Sequence, residues 1–295
     1  MAKEYYTGEQ LNHFRSTQRM AYDSVRAAAS RLKEGMTERE AADLIDQEIK
    51  KRGCDRYFHG PFAWFGERSG FLNIERPLDF RSFPSNLLPP HFGTEFLPSS
   101  ARLEKGMCVI LDVAPIQNNA SADVGYAFAF DENPAIEKAL DDLEVFRPMI
   151  LDGIRKEKTM AEIYHQVDDT LHEMGYLSSH SKYPFGVLGH KVGFINTQTF
   201  PRIPFMNFEL STFAYILGQQ YKELVSFGHD KTPLWSADSR VAAEPGLWAV
   251  EPHICTSSFG VKWEEIIHVT DNNAEYIDND LPHVNRWAER RRQTA

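Results

Sequence analysis

Asp112 stands where an acid is costly, inside the apolar run Val109-Ile110-Leu111-Asp112-Val113. A second acid, Asp123, opens another apolar run that carries Val124, Tyr126 and Phe128. Between them, Gln117-Asn118-Asn119 reads as a turn. A hairpin pivoting on Gln117-Asn118 sets Asp112 directly opposite Asp123 on one sheet face. Like charges so placed repel, and a bound metal ion is the economical remedy. A lysine or arginine would also serve, but the hairpin contains none.

The pattern returns near the C-terminus. Trp248-Ala249-Val250-Glu251-Pro252 and Val261 to Ile267 read as strands, with Thr256 to Phe259 between them. A pivot on Ser257-Ser258 pairs Glu251 with Glu264 and turns the adjacent Glu265 to the other face. Four such carboxylates carry four negative charges, which two divalent ions neutralise. An oxygen-rich site joined by a histidine suits Mn, Fe, Co or Zn rather than Ca or Mg. His190, in Gly189-His190-Lys191-Val192-Gly193, is the best histidine, because its glycines allow close backbone approach. Taken singly, an acid in a strand is commonly an edge residue and a lone histidine is commonly structural. The two hairpins together carry the argument.

These residues need a frame. The first 55 residues read as helices, with Met20, Val25 and Leu32 at helical spacing and Gly35 ending the first helix. Thr37 with Glu40 forms a capping box for a second helix, which carries Ala41, Leu44, Ile45 and Ile49 and stops at Gly53. Thr159 with Glu162 opens another helix, carrying Ile163, Val167 and Leu171 and stopping at Gly175. Thr37, Glu40, Ile45, Ile49 and Gly53 each have a counterpart 122 residues later, which predicts two related halves. Strands are expected near Val187 to Phe194, Leu247 to Ile254 and Val261 to Thr270. Residues 57–100 and 196–239 read as irregular inserts. Their aromatics (Phe62, Trp64, Phe65, Phe71, Phe205, Phe208, Phe213, Tyr215) either line a pocket or form small cores. The tail from Arg286 to Arg292 reads as a basic helical or frayed end.

Composition bounds the rest. The 295 residues, 42% hydrophobic, suit one domain over residues 1–295. Three separated cysteines exclude a disulfide scaffold or zinc finger and suit a reducing, cytoplasmic compartment. A net charge of −10 argues against nucleic acid as a partner. Met1 to Gln10 lacks the apolar stretch of a secretory signal, and no run reaches the roughly 18 apolar residues of a membrane span.

Several of these phrases form a familiar series. They are Leu32-Lys33-Glu34-Gly35-Met36-Thr37-Glu38, Lys105-Gly106-Met107-Cys108-Val109-Ile110-Leu111-Asp112, and the eleven-residue step to Asp123. Gly189 to Gly193 follow, then Glu244-Pro245-Gly246 through Glu251-Pro252, and Lys262-Trp263-Glu264-Glu265 with Val269-Thr270. From about Arg19 to Tyr276, the chain resembles the pita-bread metallopeptidases: methionine aminopeptidase, aminopeptidase P, prolidase and creatinase. The resemblance implies an α+β fold of two pseudo-symmetric halves, with a curved antiparallel sheet around a dinuclear site. It covers the catalytic domain of those proteins, without the N-terminal domain of aminopeptidase P and creatinase. It implies Asp112, Asp123, His190, Glu251 and Glu264 as ligands of two divalent ions. It also implies hydrolysis of a C–N bond in a small peptide or amide by a metal-bridged hydroxide, with Glu251 managing the proton. A homodimer is a further family-level expectation.

The match departs at substrate-contacting positions. The family's second histidine falls on Thr197, and His229 is a candidate replacement. For the family histidine that precedes the first Asp, His91 and His59 compete. Gly125 and Tyr126 stand where the family often has Thr or Ser and Arg. Two other functions stay open: a non-peptidase such as a lyase on the same metal site, and a metal-free binding module.

Overall fold

The computed structural model describes residues 5–72, 74, 95–205, 207–227 and 233–294. Helix α1 (Gly8–Ala29) starts at a capping box between Thr7 and Gln10 and buries Phe14, Ala21, Tyr22 and Val25. It ends before Leu32, and Gly35 sits beyond it with φ of 85°, a conformation glycine adopts without strain. Helix α2 (Glu38–Lys51) has the Thr37–Glu40 capping box expected from the sequence. Helices α3 (Pro134–Asp142) and α4 (Phe146–Arg155) lead to α5 (Met160–Glu173), which has the matching Thr159–Glu162 box. Both capped helices are 14 residues long. Each capping threonine also forms an isolated antiparallel bridge, Thr37 to Arg102 and Thr159 to Ala242. The repeat therefore extends to how each helix start is tied to a distant loop.

The first half contributes β1 (Tyr57–Phe65), β2 (Met107–Gln117), β3 (Ala120–Ser121) and β4 (Val124–Phe130). The rest supplies β5 (Leu177–Ser178), β6 (Val187–Val192), β7 (Pro204–Phe205), β8 (Phe208–Glu209), β9 (Leu234–Ser236) and β10 (Gly246–Val250). Then come β11 (His253–Cys255), β12 (Gly260–Lys262), β13 (Glu265–Val269) and β14 (Ala274–Tyr276). In one sheet β1 pairs β2 and β2 pairs β4; in the other β6 pairs β10 and β10 pairs β13. All these pairings are antiparallel, and each half uses its three strands in the same order. Strands β12, β11 and β5 form a third, small sheet.

Both faces of β2 are buried, which is why its sequence lacks alternation. Val109, Leu111 and Val113 join the core under α1 and α2. Cys108 and Ile110 join the larger core that includes α4 and α5. Asp112 shares their face by strand alternation, so it points between the halves.

The inserts are more regular than the sequence suggests. Residues 57–65 form the nine-residue β1, because Pro61 and Gly60 interrupt the apolar pattern without ending the strand. Positions 73 and 75–94 lie outside the described residues. Residues 210–227 form an 18-residue helix, α6 (Leu210–Phe227). Its sequence is apolar on most sides and lacks the polar contrast by which helices are read. The expected strand from Leu247 to Ile254 is broken at Glu251-Pro252, since proline has no N–H for the ladder. The tail is helical, as α7 (Pro282–Thr294). Among the described residues no helix is long and apolar enough to cross a membrane.

Candidate metal centre

The first acid-bearing hairpin forms with its register displaced from the expected one. Asn118 and Asn119 have φ of 50° and 66°, so the turn pivots on Asn118-Asn119, not on Gln117-Asn118. A two-residue turn of this hand requires positive φ at both central residues, which asparagine tolerates better than glutamine. The ladder pairs Gln117 with Ala120 and Asp112 with Gly125. Asp123 is therefore not opposite Asp112. It lies two positions along, on the same face, in the break between β3 and β4.

The second hairpin has the expected register. His253 pairs with Lys262 and Val250 with Glu265, which sets Glu251 across from Glu264 between the two ladders. His190 pairs with Ala249, and Ala249 with Ile266, so His190, Glu251 and Glu264 share a face. Glu265 points away and is held by Arg147 (2.7 and 3.0 Å) and His283 (2.8 Å).

The residues converge on Asp123. One carboxylate oxygen lies 3.0 Å from His59 Nε2 and the other 3.2 Å from His190 Nε2. His59 Nε2 is also 3.5 Å from Asp112 Oδ1. A bulge in β1 on either side of His59 aims it inward. The other ring nitrogen of each histidine faces a backbone carbonyl, Gly60 at 2.9 Å and Lys191 at 3.2 Å. A carbonyl on Nδ1 fixes the ring with Nε2 toward the carboxylates, the usual orientation of a metal-binding imidazole. Phe58 stacks on His190 with ring centroids 5.1 Å apart. Two ligand groups result, His59–Asp112–Asp123 and Asp123–His190–Glu264, each with its ligand atoms within 4.8 Å of one another.

A cation that the sequence reading did not place also enters the cluster. Lys262, buried on β12, sets its ammonium 2.6 Å from Asp112 Oδ2, 2.8 Å from Glu251 Oε2 and 3.2 Å from Glu264 Oε2. The hairpin of Asp112 holds no basic residue, but the other half supplies one. The signal was present: Lys262 stands two residues before Glu264 and shares its strand face.

Burial and mutual repulsion set the protonation of the cluster. Burial lowers the His59 pKa, but the charge and hydrogen bond of Asp123 outweigh it and push it up to about 9. Burial raises Asp123, yet His59 and His190 together pull it below the ordinary carboxylate range. Glu264 is raised well above that range by burial, reinforced by the charges of Asp123 and Glu251. Burial also raises Glu251. Glu264 is 1% exposed; its Oε2 lies 3.2 Å from the Lys262 ammonium, but neither carboxylate oxygen accepts a hydrogen bond. A buried carboxylate met by one ion-pair contact and no hydrogen bond is costly. Beside two anchored imidazoles it makes a donor set that fits a divalent ion.

The remaining candidates separate. His91 and His229 lie outside the described residues. Thr197 is buried, and its carbonyl accepts from Arg56. Phe62, Trp64 and Phe71 belong to the main core, and Phe208 and Tyr215 pack on a small one around Phe58 and Ile195. Most insert aromatics are thus core, while Phe58, Phe62 and Phe208 also flank the two histidines.

Two related half-sheets that meet on a carboxylate–histidine cluster define the pita-bread class of fold. The chain belongs to metallopeptidase family M24, whose model matches residues 12–271. No curated protein matches the sequence. An X-Pro aminopeptidase from Thermotoga maritima superposes over 96% of this chain and 63% of its own, with TM-score 0.62 and 16% identity. A prolidase from Pyrococcus furiosus covers 92% and 64%, with TM-score 0.58 and 18% identity. An Xaa-Pro dipeptidase from Bacillus anthracis covers 92% and 61%, with TM-score 0.60 and 18% identity. The chain thus spans about three fifths of the length of these structures, and the likeness shows the fold.

Proposed function

We propose that this protein is a metal-dependent hydrolase that cleaves a C–N bond in a small peptide or amide, with two divalent ions at full occupancy. The observation that carries this reading is the pair of histidine–carboxylate groups sharing Asp123, with Glu264 buried beside them and accepting no hydrogen bond. Asp112, Asp123, His190, Glu251 and Glu264 are the proposed ligands, and His59 stands with them. Bound divalent ions supply Lewis acidity toward a carbonyl and lower the pKa of a water at neutral pH. Glu251 would be suited to hold a proton at its carboxylate and deliver it to the leaving nitrogen, because burial raises its pKa. His59 and His190 orient the Asp123 carboxylate from either side. Phe58 and Phe208 flank the imidazoles and limit water there.

The test is metal analysis of purified protein with Mn, Fe, Co or Zn, followed by a dipeptide panel that includes Xaa-Pro. Metal-dependent release of the N-terminal residue supports the reading. Metal binding with no cleavage of any peptide or amide sinks the hydrolase and favours a non-peptidase on the same site. Failure to bind any of the four metals removes the enzyme reading altogether.

A further inference from the structure

The repeat breaks down at one sheet edge. Strand β13 is flanked by β10 and β14, but its counterpart β4 has a full ladder only with β2. Among the described residues, the outer edge of β4 makes a single bridge, from Tyr126 to Trp263. Helices α3 and α7, not a strand, cover that edge, and they leave a cavity of about 310 Å³ against it. Five consecutive residues of β4, Gly125 to Ala129, line the cavity. Successive strand residues point to opposite faces, so a space that touches all five runs along the edge.

The walls are aromatic, and their polar groups are already engaged. Trp263, His283 and Trp287 stand on the side away from β4, with His283 stacked on Trp263. The indole N–H groups of Trp263 and Trp287 donate to the carbonyls of Leu143 (3.2 Å) and Leu140 (2.9 Å). Arg286 is held by Glu137 (2.7 Å) and Asp141 (2.8 Å), and His283 by Glu265 (2.8 Å). Glu289 is exposed at the rim. The stem of Lys262 forms the inner wall beside Gly125, where a Cβ would come within 2.2 Å of Lys262 Cε. Its ammonium is bonded to Asp112 and Glu251.

We propose that this cavity is a binding site for a neutral, planar, two-ring aromatic molecule, separate from the carboxylate–histidine centre. Size sets the two rings: an apolar cavity of about 150 Å³ takes one benzene, and this one is about twice as large. Aromatic walls receive a flat ring edge-to-face or in offset stacks. Charge sets the neutrality. A charged ring would lose its water on entry, and the charges on the enclosed walls are spent on one another or on the acid cluster. The small side chains of Ala127 and Ala129 leave the space that the rings fill.

The test is calorimetric titration of the purified full chain with indole at neutral pH. Wild type binds one equivalent with Kd of about 0.1–1 mM, the range open to a ligand of this size. N-methylquinolinium, of similar size but with a fixed charge in the ring, binds at least about ten-fold more weakly. Ala129→Phe fills the cavity from its partly exposed end and weakens indole at least about ten-fold, while Asp123→Ala leaves indole binding unchanged. Wild-type crystals soaked in 5-bromoindole locate the bromine by anomalous diffraction, which decides the matter if Ala129→Phe does not fold. A bromine between β4 and α7 supports the site. Four results overturn it: no indole binding up to about 10 mM, equal binding by Ala129→Phe, N-methylquinolinium as tight as indole, or a bromine elsewhere. Each leaves the metal reading standing, because none of them involves the carboxylate–histidine centre.

Discussion

Each half of the molecule presents the cluster with one histidine and two acids from corresponding strands, yet the two sets are balanced differently. His59 on β1 corresponds to His190 on β6. Asp112 on β2 corresponds to Glu251 beside β10, and Asp123 before β4 to Glu264 before β13. The acids of the first half are met by the protein's own groups: Asp112 by Lys262, Asp123 by both histidines. In the second half Glu251 accepts from Lys262, while Glu264 has the same lysine only at 3.2 Å and accepts no hydrogen bond. The repeat accounts for the matched strand positions of these residues. Lys262 bridges the two sets, closest to Asp112 and farthest from Glu264, which leaves Glu264 the least compensated of the four acids.

The largest expected effect is at the acid common to both ligand groups. Asp123→Ala should lower activity and metal affinity by more than about 100-fold, because loss of a ligand exceeds the 10–100-fold cost of losing an outer partner. Metal content and turnover equal to wild type would remove Asp123 from the centre. The next effect differs in size between the two halves. In metal-free protein Asp112→Leu should destabilise by on the order of 3 kcal/mol, since it takes a buried partner from Lys262. Glu264→Leu should cost less than this in the same metal-free protein, since Lys262 keeps its shorter contacts to Asp112 and Glu251 and Glu264 makes no hydrogen bond. Thermal unfolding in chelator measures both. Equal costs for the two changes would refute the unequal balance of the two acids.

Smaller effects test the duplication itself. Thr37→Ala and Thr159→Ala each remove a capping box and should cost about 1 kcal/mol, similarly in the two halves. A large disparity in denaturant titrations would show that the matched caps carry unmatched loads. The smallest effect lies at a tie between the halves, from Arg19 on α1 to Asp278 beyond β14 (2.5 and 2.8 Å). Burial alone would raise the Asp278 pKa, but the Arg19 hydrogen bonds outweigh it and hold it below the usual range. A lowered folded pKa contributes stability above the ordinary Asp value of about 3.9, lost as pH falls through the folded value. With Arg19 half exposed, the contribution is at most about 1 kcal/mol. Asp278→Asn should flatten that acid limb by this amount, and an unchanged limb would discount the pair.

Local chemistry made much of this readable. Capping boxes, glycine stops and an offset of 122 residues are short-range signals, and the structure reproduces them. The Glu251–Glu264 register was readable because a two-residue turn fixes it. The Asp112–Asp123 register was missed by one turn position, although the φ preference of Asn118-Asn119 over glutamine was there to be used. Helix α6 was missed because a helix without polar contrast has no period to read.

By itself the sequence determined which side chains share a strand face, since alternation is a property of the backbone. It also determined that the chain is built of two related halves. Only the tertiary structure decided that His59, from a bulged strand, reaches Asp123, and that Lys262 crosses from one half to neutralise an acid of the other. Those contacts join residues 64 and 150 positions apart. No local rule links such positions; the packing of one half against the other, and the space left at Gly125, brings them together.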